Sequence, residues 1–166
     1  MMPHIGIVAL AALVPMIIGF TYYHPKTMGT FWMKESGVTE EKMKGANMPL
    51  IYILSLVFAF MLAFILYALT VHQTDLYSLH AEEKGFGAEG SATMLRLQDL
   101  MAEMGDRFRT FGHGAFHGAI LAIFVALPIL ATNSMFERKS FKLIFINAGY
   151  WLITISLMGG IICQWA

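Results

Sequence analysis

The chain has 166 residues, 57% of them hydrophobic and only 13% charged, and its formal net charge is zero. A soluble domain carries about a quarter charged residues, so this composition points to a membrane protein, and the balanced charge excludes a nucleic-acid footprint or a polybasic patch. Cys163 is the one cysteine, which excludes an intramolecular disulfide and a cysteine-based metal motif.

A helix that crosses the roughly 30 Å hydrocarbon core needs about 20 mostly apolar residues, and four charge-free stretches meet that length. The first covers residues 5–23. It has no basic leader and no small-x-small cleavage site, so it reads as a retained span and not a signal peptide. Pro15 inside it predicts a kink. In the loop that follows, Thr39 can cap a short helix whose first residues, Glu40 and Glu41, suit the positive end of the helix dipole. Pro49 opens the second span, residues 50–71, where its missing N–H is harmless.

The long loop 72–111 holds Leu97, Leu100, Met101, Met104, Phe108 and Phe111 at three- and four-residue steps, with Arg96, Asp99, Glu103, Asp106 and Arg107 on the other face. This spacing predicts an amphipathic helix over 93–110, running into the third span at residues 112–131. The fourth span covers residues 143–165. Tyr22, Tyr23, Trp32, Tyr77 and Trp165 lie near span ends, where amphipathic rings prefer the headgroup region. The expected fold is all-α: a single domain over 1–166, an integral membrane bundle of four transmembrane helices with an extra amphipathic helix in the long second loop.

Orientation follows from counting Lys and Arg in the loops. The 24–49 and 132–142 loops hold Lys26, Lys34, Lys42, Lys44, Arg138, Lys139 and Lys142, whereas the side with both termini and the 72–111 loop holds Lys84, Arg96, Arg107 and Arg109. The positive-inside rule then expects a bacterial inner (cytoplasmic) membrane protein with both termini and the 72–111 loop in the periplasm.

Several motifs run along the chain in a fixed order: Tyr22-Tyr23-His24-Pro25, Met28-Gly29-Thr30-Phe31-Trp32-Met33-Lys34, His113-Gly114-Ala115-Phe116-His117-Gly118, and Ile146-Asn147-Ala148-Gly149-Tyr150-Trp151. In these the sequence resembles domain-of-unknown-function family 1761, small bacterial four-span membrane proteins. Tyr23, Pro25, Gly29, Trp32, Asn147, Gly149 and Trp151 are the motif residues that carry the resemblance. It implies a four-helix membrane protein and no activity, and a shared fold would not license one. The 72–111 segment is longer than the resemblance leads one to expect.

Among residues with chemistry, His113 and His117 stand one helical turn apart and so share a face at the outer end of the third span, with His72 on the same side. Imidazoles at that spacing can ligate zinc or copper, and Asp75, Glu82 or Glu83 could complete a tetrahedral site; a haem is the other cofactor such histidines suit. The competing reading is a pair of interfacial histidines bonded to backbone, set between Gly112, Gly114 and Gly118 in a close helix contact. Gly114 and Gly118, with Ala115, Ala119, Ala122 and Ala126, form a small-residue face. Gly159 and Gly160 are its obvious internal partner, and a second copy of the chain is the alternative. Asn147, Thr154 and Ser156 read as interhelical glue before a transport path, and no span carries the acid or base that an ion-coupled pump needs. Met94, Met101 and Met104 share a face but sit among Leu97, Leu100 and Phe108, the setting of a gap-filling Met and not of a thioether ligand.

No catalytic residue stands out. The leading expectation is a non-catalytic protein that acts by assembly in the lipid bilayer, as a homo-oligomer or as an accessory subunit of a larger membrane complex. The alternatives are a metal- or haem-binding membrane protein using the outer histidines, and a passive channel or small-solute carrier lined by Asn147, Thr154 and Ser156.

Overall fold

Four stretches are helical for long enough, and apolar enough, to cross a bilayer: Ile5–Tyr22, Met48–Thr70, Phe111–Phe136 and Phe141–Trp165. The structure, a computed structural model, describes residues 3–166, and among the described residues there are helices and no strand. The chain is an all-α membrane bundle.

Local chemistry sets the helix ends. In the first stretch, α1 (Ile5–Ala11) and α2 (Val14–Tyr22) are separated by a step at Ala12 and Leu13, because Pro15 in the first turn of α2 has no N–H to continue the ladder. The first loop contains α3 (Gly29–Ser36), which stops where Gly37 turns left-handed at φ 73°. It also contains α4 (Glu40–Lys44), whose cap Thr39 accepts a hydrogen bond from the Lys42 N–H at 3.3 Å. The second span is α5 (Met48–Thr70), capped by Asn47. A short α6 (Gln73–Leu79) and the amphipathic α7 (Ala92–Met104) occupy the long loop.

The third span is α8 (Phe111–Leu121) and α9 (Leu127–Phe136) joined by a wide π turn, Ala122–Ala126. That turn lies just before Pro128, whose ring would collide with the carbonyl four residues back in a regular helix; the extra residue per turn relieves the clash. The span continues to Phe136, five residues past the apolar run, since Thr132, Asn133 and Ser134 do not break a helix and the chain turns only at Arg138, φ 55°. The fourth span is α10 (Phe141–Trp165), capped by Ser140.

α10 is the most buried of the four spans and packs most extensively on α8, with α5, α1 and α2 also against it. Val8, Ala11, Ala63, Leu66, Ala122, Ile155, Met158 and Ile162 form the core where these helices meet.

The amphipathic helix is shorter than its periodicity suggests. It ends at Met104, and residues 105–110 turn instead, with Phe108 left-handed at φ 64°. The reason is Thr110, which takes the extended backbone of a helix cap and accepts the His113 N–H at its side-chain oxygen, so α8 starts afresh there. The Gln73 side chain fills the gap, its amide NH2 donating to the Met104 and Arg107 carbonyls at 2.9 Å each.

Candidate metal centre

The direction of the α8 histidines is set by the glycines that follow them. A methyl group added at Gly114 would overlap the Gly159 carbonyl and the Cys163 Cβ, and one at Gly118 would overlap the Ile155 carbonyl. The glycine face of α8 is therefore pressed on α10 at backbone distance. His113 and His117, each one residue earlier, are rotated by about 100° around the helix, away from α10. There they meet His72, which sits in the turn between α5 and α6, a turn braced by Thr74 Oγ1 donating to the Val71 carbonyl at 2.8 Å.

The three rings form one cluster. His72 Nε2 lies 2.9 Å from His113 Nε2, and the ring centroids are 5.1 Å apart for His72–His113, 5.1 Å for His72–His117 and 4.5 Å for His113–His117. One ring nitrogen from each can be chosen so that all three atoms lie within 4.8 Å of one another, and all three residues are half-buried. Phe108 covers the group, stacked on His113 at 5.0 Å and edge-on to His72 at 6.2 Å.

Three Zn–N bonds of about 2.0–2.1 Å at tetrahedral angles place the nitrogens about 3.4 Å apart. The 2.9 Å contact needs to open slightly and the wider ones to close, movements that side-chain torsions supply. Neutral imidazoles suit zinc, copper or nickel. They do not suit a haem held between two of these histidines: axial imidazoles face each other across the macrocycle, and rings this close leave it no room.

The acids considered as further ligands do not join the group, which among the described residues is His72, His113 and His117 alone. Glu83 instead lies 3.8 Å from His80 Nε2, and the His80 Nδ1–H donates to the Leu76 carbonyl at 2.7 Å. His24 Nδ1 accepts from the Lys26 N–H at 3.1 Å. Met94 sulfur accepts from the Gly87 N–H, whereas Met104 lines a cavity beside His72. Gly160 meets the Phe111 ring, Ala122 is buried in the core, and Ala115 is half-buried.

Most of the motif residues gather at the other end of the bundle. The Tyr23 hydroxyl donates to Asn147 Oδ1 at 3.0 Å, and the Tyr22 hydroxyl to the Ile146 carbonyl at 2.9 Å. Trp32 and Tyr150 pack on the Tyr23 ring at 5.6 and 5.1 Å. Gly29 fits because a side chain there would strike the Tyr23 carbonyl, and Gly149 because one would strike the Tyr22 hydroxyl. The Pro25 carbonyl accepts from the Thr30 hydroxyl at 2.9 Å, and Trp151 lines an apolar groove between α5 and the third span. Asn147 is bonded to Tyr23, Thr154 is fully buried in the helix packing, and Ser156 is half-buried.

Sequence reasoning did not single out Gln73 or Phe108. Gln73 belongs to no periodic pattern and acts through two carbonyls more than thirty residues away, while Phe108 fits the helical periodicity yet acts through a backbone conformation rare for its type.

No curated protein and no solved structure matches this chain. The model of a family described as "Protein of unknown function (DUF1761)" matches residues 7–163. That stretch takes in the second and third spans whole, all but the outermost two residues of the first and fourth, the histidine cluster and the aromatic cluster at the opposite end, and the chain belongs to this family.

Proposed function

We propose that this protein is a polytopic membrane protein whose working site is a transition-metal centre held by His72, His113 and His117. The observation that carries the reading is the convergence itself. A histidine from the turn after α5 meets two from α8, with one ring nitrogen from each inside a 4.8 Å span. An i, i+4 pair alone is common on helices; a third imidazole brought from 41 residues away to 2.9 Å is the geometry that a metal ion rewards. The excess of Lys and Arg in the other two loops supports placing the centre on the periplasmic side of a bacterial inner membrane. The test is elemental analysis of protein purified from its own membrane in mild detergent. Near-stoichiometric zinc, copper or nickel in the native chain, lost in His113→Ala/His117→Ala, is the expected result; equal metal in both would remove the proposal.

The second reading is assembly, as a homo-oligomer or accessory subunit. It rests on α5, which leaves Ile53, Phe58, Met61, Phe64 and Ile65 exposed along its length. Lipid tails or the apolar face of a partner can cover them. The glycine stripe of α8 is no longer part of that argument, because Gly159 and Ile155 of the same chain occupy it. Native mass spectrometry from the membrane distinguishes lipid from protein neighbours.

A further inference from the structure

Three neutral imidazoles leave a divalent ion with its full charge and an incomplete coordination sphere. What lies beside the cluster is therefore informative. His72 forms one wall of a cavity of about 200 Å³ whose other walls are Gln73, Leu76, Met104, Arg107 and Phe108. With a water occupying about 30 Å³ of liquid, this space holds an ion of a few heavy atoms and is too small for a drug-sized ligand.

The walls carry two polar features. Arg107 brings a guanidinium, paired with Glu103 at 3.7 Å, where both side chains are more than half exposed and the pair is correspondingly weak. Gln73 is 4% exposed, and its amide oxygen is buried with no hydrogen-bond partner. The amide cannot turn over to relieve this, because its NH2 already donates to two carbonyls. A buried acceptor left in this state is one that an ordered water or other donor from outside the chain would satisfy. Leu76, Met104 and Phe108 make the remaining wall apolar, which strengthens charge attraction inside it.

We propose that the metal held by His72, His113 and His117 keeps one coordination position open to this cavity, occupied by water and exchangeable for a small anion, with Arg107 as the counter-charge. The proposal rests on the metal reading above and assigns it a ligand class: compact anions such as azide, cyanate, formate or bicarbonate, bound through one oxygen or nitrogen to the metal. Arg107 acts across the cavity on the anion and not on the metal.

The experiment uses the full chain in detergent, loaded with cobalt(II), whose visible spectrum reports coordination, and titrated with azide. The expected result is a cobalt spectrum that depends on the three histidines and shifts saturably with azide. Arg107→Gln weakens azide several-fold while leaving cobalt binding unchanged, and Glu103→Gln does not weaken it. A histidine-dependent cobalt spectrum that azide leaves unmoved means a closed site and overturns this inference while the metal centre stands. Azide binding of equal strength in Arg107→Gln overturns the role given to Arg107. Cobalt that does not bind, or binds equally after His72→Ala and His113→Ala/His117→Ala, overturns both.

Discussion

Gly114 and Gly118 decide how near α8 comes to α10, and so where the histidines one residue before them point. Because backbone, not a flexible side chain, lies opposite, the contact cannot yield without separating the helices. Gly114→Ala is therefore expected to destabilise the protein by about 1–3 kcal/mol, the usual cost of overpacking. Gly112→Ala, where nothing lies within 4 Å of the added carbon, should be neutral or gain up to about 1 kcal/mol of helix propensity. Thermal unfolding of both variants in detergent is the check, and equal stability would mean that α8 does not rest on α10 this way. The small-residue stripe is readable in the sequence, since spacing of four places small residues on one face. Whether it faces the same chain or another copy is not, because periodicity describes one helix and not its partner. The histidines divide the same way. The His113–His117 pair is legible from its spacing, whereas the 2.9 Å approach of His72 depends on how α5 docks.

At the level of elements, prolines act where the sequence places them, though not always as a bend. Pro15 breaks the first span into two helices, and Pro128 is accommodated by the π turn before it. The end of α7 is the least legible boundary. Apolar residues continue at helical steps through Phe108 and Phe111, yet the helix stops at Met104 because Thr110 starts a new one and residues between must reverse. Gln73 holds that reversal through its two bonds, which also seats Phe108 over the imidazoles. Gln73→Leu removes both donors and leaves two carbonyls to find others, a loss of about 1–3 kcal/mol. The expected signature is faster amide hydrogen exchange confined to residues 105–110, with α5 and α10 unchanged. Unaltered exchange there would show that the turn is held by something other than Gln73.

For the whole molecule, the four spans are the most legible feature, since bilayer thickness fixes their length and the cost of buried charge keeps Asp, Glu, Lys and Arg out of their apolar runs, Lys142 lying at the very end of the fourth. The two ends of the bundle differ in kind. One is an aromatic and glycine scaffold that ties the first loop to α10 through Tyr22, Tyr23 and Asn147, and the other gathers imidazoles, a small cavity and the amphipathic helix. The scaffold end uses its polar groups on one another, and the histidine end brings three imidazoles together, which is why the proposed metal centre is placed there. His72→Ala tests this most directly, because it removes the ligand supplied by the turn after α5 and leaves the helical pair intact. Zinc affinity of the purified chain, measured by competition with a chromogenic chelator, should show one ion per chain for the native protein. His72→Ala should lower the affinity by more than the roughly 10–100-fold that loss of an outer partner to a ligand costs. If His72→Ala binds zinc as tightly as the native chain, the three histidines do not form one centre.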